Sequence, residues 1–390
     1  MPPSAIEVTI ERILPGGFGL AHAEGKTLFV SLAAPGDVLR VHIDRVRGNI
    51  AFASIAEIIK PSEQRVEPPC PYFGRCGGCD FQQLDYQAQL EAKAEIIRDC
   101  LHRIARVDEP PRLKIQPAPN QWRYRARANW QLDRDSGKIG YFEAGSHRVC
   151  DVEVCAVLNP RLEAVLERVR RDIREGALTE LPRDIRAAVG EDEVSVAPPV
   201  AGFSPNDVSR TFGGETYWFN ADSFFQVNPD LLDALLNEAI ANEKGELALD
   251  LYCGAGLFTI PLARRFAQVT GVEVNAQATA FARRNLQAAG LANAEVVTAN
   301  VADWLRSHTR FSAPVDFVLL DPPRTGAENA VIQGIIDCRP ARISYVSCDP
   351  ATLARDLKKL IAAGYALNSV TGFDLFPQTH HVETVALLAR

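Results

Sequence analysis

The spacing of apolar residues divides the chain into three stretches. Over residues 6–59, short alternating runs, Glu7-Val8-Thr9-Ile10, Thr27-Leu28-Phe29-Val30 and Val38-Leu39-Arg40-Val41, are punctuated by Gly16-Gly17, Gly25 and Pro35-Gly36. Period-two alternation interrupted by turn residues predicts a small β-barrel. Such a barrel is either a structural module or a nucleic-acid platform, and the pattern leaves both open. From about residue 222 onward, strand-like apolar runs at 247–252, 269–274, 295–298, 317–320 and 343–347 alternate with helical patterns, as in a parallel sheet with crossover helices. Between these stretches lies a proline-rich linker at 61–71, then a region mixing possible strands with charged helical segments such as 161–175. The expected division is a barrel at 1–60, a central domain at 61–212 and an α/β domain at 213–390.

A chain of 390 residues exceeds what one core usually serves, which agrees with several domains. Its 47% hydrophobic and 23% charged residues are ordinary for a soluble globular protein. The first residues lack a basic segment followed by an apolar run, and no stretch of about 18 apolar residues occurs, so a cytoplasmic protein without a membrane span is expected. A formal charge of -7 argues against indiscriminate binding to polyanions; contact with nucleic acid would need local basic patches. Nine cysteines, odd in number and unevenly spaced, suit metal binding or catalysis better than a disulfide framework.

The run 247–252 leads into Cys253-Gly254-Ala255-Gly256, a turn that lets a ligand approach the backbone closely. About twenty residues on, Glu273 ends the next run, where a carboxylate can accept hydrogen bonds from both ribose hydroxyls. A dinucleotide site would carry a third glycine where Thr259 stands. The turn therefore favours S-adenosylmethionine, with a dinucleotide or a purely structural turn as rivals.

Asp321 and Cys348 end two further runs and should overlook the same crevice. Asp321-Pro322-Pro323 resembles the loop of amino-group methyltransferases, but Arg324 stands where those need an aromatic ring. A strand-end cysteine is ordinarily a packed small hydrophobe; the neighbours Ser347, Asp349 and Pro350 shift the reading toward a nucleophile.

Two further clusters stand out. Cys70-x5-Cys76-x2-Cys79 supplies three soft ligands that could hold zinc or an iron–sulfur cluster, with Cys150 or Cys155 as the fourth. Trp122-Arg-Tyr-Arg-Ala-Arg-Ala-Asn-Trp130 alternates cations and aromatics, and residues 121–148 hold six Lys or Arg against three Asp or Glu. Read as a strand, this stretch puts Arg123, Arg125 and Arg127 on one face, suited to phosphates while rings stack bases; a merely solvated sheet face is the alternative.

Asp321-Pro-Pro-Arg, Ser347-Cys-Asp-Pro-Ala-Thr-Leu-Ala-Arg-Asp and His381-Val-Glu-Thr-Val resemble the RNA 5-methyluridine methyltransferase family, as do Phe224-Phe-Gln-Val-Asn228 and the cysteine cluster. Gly16-Gly-Phe-Gly19 followed by Ala34-Pro-Gly-Asp37 is similar to the TRAM domain. The resemblance implies a class I, Rossmann-like methyltransferase domain behind a TRAM-like barrel and a central iron–sulfur and RNA-binding domain. It implies that the Cys348 thiolate adds to uracil C6 and that Glu383 removes the C5 proton. It further implies S-adenosylmethionine contacts at Gln226, Tyr252, Leu257, Glu273, Asn300 and Asp321, and a 4Fe-4S cluster on Cys70, Cys76, Cys79 and Cys155. Two positions depart from the family pattern: Leu257 replaces an asparagine and His380 a glycine. The barrel and cluster together point to 23S rRNA as substrate, with tRNA as the alternative and no obligate protein partner. The rival readings are a cytosine-C5 RNA methyltransferase and a non-catalytic iron–sulfur RNA-binding protein, against which the pairing of Cys348 with Glu383 argues.

Overall fold

The computed structural model describes residues 5–110, 112–178, 180–308 and 314–390; the opening Met-Pro-Pro-Ser lies outside them. The alternating runs near the amino terminus form a six-stranded sheet in the order Ile6–Thr9, Val38–Arg47, Ile50–Lys60, Lys26–Val30, Gly19–Ala23, Arg12–Ile13. It curls around Val8, Ile10, Leu28, Val30, Leu39 and Val41, the inward members of the alternation. Buried Asp37 ties this barrel to the linker. Its carboxylate accepts from the Ala34 backbone at 2.7 Å, from the Ser62 backbone at 2.9 Å and from the Arg65 guanidinium.

A second sheet, entirely antiparallel, has the order Val149–Asp151, Lys138–Phe142, Arg127–Asp133, Asp184–Val189, Val194–Ala197. Helix Pro160–Arg174, capped by Asn159, buries Leu162, Val165, Leu166 and Val169 against it, a spacing that lines one helical face. The expected helix at 161–175 is therefore present almost residue for residue.

The third sheet has eight strands in the order Ala294–Thr298, Phe266–Glu273, Gly245–Leu251, Phe317–Leu320, Arg342–Ser347, Glu383–Ala389, Ala366–Phe373, Lys114–Gln116. The first five run parallel, whereas Glu383–Ala389 is antiparallel to both neighbours. Strand Phe317–Leu320 is buried at all four positions, as a strand covered by helices on both faces must be. Helix Tyr86–Cys100 and strand Lys114–Gln116 fall in the central part of the sequence. Both nonetheless belong to this unit: Ile97 and Cys100 share a core with Leu249, Tyr345 and Val370, and Lys114–Gln116 extends the sheet edge. Among the described residues, no helix is long and apolar enough to cross a membrane.

Chain order reverses direction between Gly245–Leu251 and Phe317–Leu320. The crevice at their carboxyl ends is where doubly wound folds place their ligands.

Candidate active site

At that crevice, strand Gly245–Leu251 runs into the glycine turn. Tyr252 adopts φ +65°, uncommon for a residue with a side chain and typical of strained functional turns. The backbone N–H groups of Tyr252 and Cys253 both donate to the Val272 carbonyl, at 2.8 and 3.1 Å. A Cβ on Gly256, at φ +87°, would lie 3.3 Å from the Ala282 Cβ, so helix Ala276–Ala288 packs directly on the turn. Glu273 closes the next strand and accepts from the Gly254 and Asn275 backbones at 3.3 and 2.7 Å. Its carboxylate therefore lies at the mouth of the turn.

The other expected cofactor contacts surround this point on separate elements. Asn300 is exposed beyond strand Ala294–Thr298 and caps the following helix through the Asp303 backbone. Leu257 is buried in the core, its carbonyl accepting from the Tyr217 hydroxyl at 3.2 Å; its side chain contributes packing where an asparagine would offer a polar contact. Gln226 is buried beside Phe225, which shares a core with Ala255, Leu257 and Phe258. Asp321 follows strand Phe317–Leu320, its N–H donating to the Leu251 carbonyl at 3.2 Å.

One acid in this crevice escaped the sequence reading. Asp250 is fully buried under the glycine turn, with one carboxyl oxygen accepting from the Thr259 hydroxyl at 2.5 Å and the other without a hydrogen-bond partner. Burial pushes its carboxyl up to about 7. Burial, with Asp250 nearby, pushes Asp321 up to about 7 as well. The available signal was an acid ending a strand just before a glycine turn.

Cys348 and Glu383 meet through strand pairing. Ser347 lies opposite Thr384 on the antiparallel neighbour, so Cys348 follows that pair on one strand and Glu383 precedes it on the other. Asp349 caps helix Pro350–Ala362 by accepting from the Ala351 and Thr352 backbones at 2.9 and 2.8 Å. Cys348 is thus held between a strand end and a helix cap. Burial, then the carboxyls of Glu383 and Asp321, push its thiol up to about 12, with Arg324 opposing them. Glu383 is buried, and one of its oxygens has no hydrogen-bond partner. Burial and Asp321 hold its carboxyl well above the usual carboxylate range, again against Arg324. Burial, His380 and Arg324 push neighbouring His381 down to about 3.

Cys70, Cys76, Cys79 and Cys155 line one cavity together with Tyr72, Arg125 and Tyr141. Buried Cys150 is not among the lining residues, and its sulfur accepts from Arg75 Nε at 3.3 Å. Among the described residues, no group of three His, Cys, Asp or Glu side chains is arranged to hold a metal ion. Four thiols lining one cavity are a donor set that either a zinc ion or an iron–sulfur cluster takes.

The arginine face expected between Trp122 and Trp130 is not formed. Only residues from Arg127 onward are strand, and Arg123 adopts φ +59°. The Arg125 side chain lines the cysteine cavity. Arg127 donates to the carbonyls of Asn220 and Ala221, each at 3.2 Å, and of Ser223 at 2.7 Å, and burial lowers it to about 10. Guanidiniums committed to internal carbonyls and a cavity wall are not free for phosphates; of the three, only Arg123 is exposed.

A parallel sheet with an antiparallel strand inserted near one edge, and a glycine turn after the strand at its topological switch, define a class I S-adenosylmethionine-dependent methyltransferase. Within that class, residues 211–390 match the tRNA (Uracil-5-)-methyltransferase family and residues 3–56 match the TRAM domain. An uncharacterized RNA methyltransferase of Thermosynechococcus vestitus is 34% identical over 99% of this chain and 98% of its own. The 23S rRNA (uracil(1939)-C(5))-methyltransferase RlmD of Nitrosospira multiformis is 33% identical over 98% of each. The solved tRNA (uracil-54, C5)-methyltransferase of Pyrococcus abyssi, in complex with S-adenosyl-L-homocysteine, superposes with a TM-score of 0.76 at 25% identity, covering 98% of this chain and 100% of that one. The chain belongs to the RNA uracil-5-methyltransferase family and is an S-adenosylmethionine-dependent enzyme acting on RNA.

Proposed function

We propose that this enzyme methylates C5 of a uridine in 23S rRNA through a transient bond between Cys348 and uracil C6. The juxtaposition of Cys348 and Glu383 about the Ser347–Thr384 pair is the observation that carries this reading. Uracil C5 is a weak nucleophile. Addition of the Cys348 sulfur to C6 moves the ring electrons toward C5 and O4, and C5 then takes the methyl group. S-adenosylmethionine supplies that methyl as a sulfonium, whose sulfur keeps the electron pair of the broken S–CH3 bond and leaves as a neutral thioether. Glu383 next removes the proton left on C5, the C5–C6 double bond re-forms, and the sulfur departs with the electron pair of its bond to C6. The thiol must lose its proton before it adds, and Arg324 favours the thiolate against the carboxyls of Glu383 and Asp321. Tyr252, Leu257, Glu273, Asn300, Asp321 and Gln226 hold the cofactor around the glycine turn, Glu273 through its ribose.

Cys70, Cys76, Cys79 and Cys155 hold a 4Fe-4S cluster whose role is to organise the surrounding loops. The RNA surface includes the barrel, where half-buried Phe18, Phe29 and Phe52 pack with ring centroids 5.5–6.1 Å apart and the exposed Arg45 guanidinium lies 4.4 Å over Phe52. Rings and a cation together suit unpaired bases. The relative named for 23S rRNA and the solved tRNA enzyme both match nearly the whole chain, but the former is 33% identical against 25% for the latter, which supports 23S rRNA over tRNA.

Incubating the protein with labelled S-adenosylmethionine and unmodified 23S rRNA or tRNA, followed by nucleoside analysis, tests the proposal. Labelled 5-methyluridine in 23S rRNA is expected. Label confined to tRNA would overturn the substrate, and label in 5-methylcytidine the reaction.

A further inference from the structure

The segment leading into Glu383 is gripped from outside by residues that follow the cysteine cluster. Lys93 is wholly buried, pairs with Asp374 and donates to the Phe376 carbonyl at 3.0 Å. The Tyr124 hydroxyl donates to the Pro377 carbonyl at 2.9 Å. The backbones of Asp80 and Phe81 both donate to the Gln378 carbonyl, at 3.1 and 3.0 Å. The last grip before Glu383 is on His380: its backbone N–H donates to Asp80 Oδ1 at 2.8 Å, and its Nδ1 hydrogen-bonds Asp80 Oδ2. The barrel closes over the same pair, since a Cβ on Gly17, itself at φ +80°, would stand 3.2 Å from both Asp80 Oδ2 and the His380 Cβ.

Glu383 has a buried carboxyl oxygen without a hydrogen-bond partner, so the backbone that carries it bears on where that oxygen lies. Pairing with Phe373 holds that backbone from the strand side. From the loop side, the nearest outside anchor is the clamp on residue 380. We infer that Asp80 and His380 are positioning residues for Glu383, seated by the Gly17 turn, so that their loss slows proton removal from C5 selectively. Misplacing a base by about 1 Å can cost roughly 100-fold in rate, whereas the sulfur addition and methyl transfer rely on Cys348, fixed by a different strand and helix cap. Asp80 directly follows Cys79, which places this clamp one residue from the cysteine cavity.

The inference rests on the covalent reading above, and one experiment separates them. Full-length Asp80→Ala, His380→Ala, Gly17→Ala and His380→Asn proteins are mixed with RNA and labelled S-adenosylmethionine. The methyl-transfer burst and the decay of the denaturation-stable protein–RNA adduct are followed separately, with Glu383→Gln as control. The first three variants should keep the burst within about twofold of the native protein while the adduct decays roughly 10- to 100-fold more slowly. His380→Asn, whose amide nitrogen can take the place of Nδ1, should restore decay. Burst and decay falling together, or adduct decay unchanged, would overturn the positioning role when Glu383→Gln still accumulates adduct. Absence of adduct in Glu383→Gln itself would overturn the covalent reading and the inference with it.

Discussion

Cys348 and Glu383 flank a single antiparallel residue pair, one just after Ser347 and the other just before Thr384. The geometry brings a nucleophile and a base to one site from strands that run in opposite directions, each fixed by its own sheet register. Replacing Glu383 with Gln keeps the shape but removes the base, so turnover should fall by about 10²–10⁴-fold while methylated protein–RNA adduct accumulates on a denaturing gel. Replacing Cys348 with Ala should abolish both adduct and product.

The raised carboxyl of Glu383 gives adduct decay a pH dependence of definite sign. A protonated carboxyl cannot accept the C5 proton, and burial beside Asp321 extends the protonated form well above the usual carboxylate range. In single-turnover experiments between about pH 5 and 9, decay should therefore accelerate as pH rises, with a midpoint above that of an ordinary glutamate. A rate that is flat down to about pH 5 would show that Glu383 is not the group whose ionisation matters.

The cysteine cavity distinguishes two candidates for the fourth ligand. Cys155 lines it, whereas Cys150 lies behind it against Arg75. Protein purified without oxygen should be coloured and contain iron. Cys155→Ser should lose most of both and Cys150→Ser little of either, as read by iron analysis and visible absorbance. A colourless, iron-free native protein would reject the cluster.

Much of the methyltransferase sheet was legible because its strands are continuous apolar runs that must be covered on both faces; the expected 317–320 is the strand observed. The strand-end positions of Cys348, Asp321 and Glu273 were legible because the apolar runs stop there, and strand ends are where such folds bind ligands. The arginine face misled because alternation tells which residues share a side, not whether that side meets water. Arg127 is satisfied by carbonyls 93 to 96 residues away. The three-residue strand Lys114–Gln116 is too short to show a period, and its place at the far edge of the sheet depends on pairing with Ala366–Phe373. The clamp between Asp80 and His380 joins residues 300 apart, a relationship no local pattern carries.

With Arg125 and Arg127 turned inward, RNA affinity should depend on the barrel. Phe29→Ala with Phe52→Ala removes two of its clustered rings, and Arg45→Ala removes the cation over Phe52. Each lost stacking contact should weaken binding by about 1–3 kcal/mol, measured by titrating labelled rRNA fragments, while calorimetric binding of S-adenosylmethionine stays unchanged. Unaltered RNA affinity in the triple variant would move the RNA surface elsewhere.

The buried pair of Lys93 and Asp374 should matter more to stability than any surface ion pair of the chain. Both side chains are wholly buried, and burial alone would drive the Lys93 ammonium toward its neutral form, lowering it from its ordinary value, with Asp374 acting against that. Asp374 also accepts from the Tyr86 hydroxyl at 2.9 Å, so the carboxylate is a junction between helix Tyr86–Cys100 and the loop before Glu383. Lys93→Met leaves that carboxylate without its cation and should cost about 3–5 kcal/mol, read as a drop in the denaturant midpoint. Lys93→Met combined with Asp374→Leu removes both charges and should recover most of the loss, because two apolar groups carry no desolvation penalty. The double variant should nonetheless remain slower in turnover than the native enzyme, since it restores burial but not the grip of Lys93 on the Phe376 carbonyl. Recovery of stability and rate together would show that this pair supports the fold without helping to place the loop.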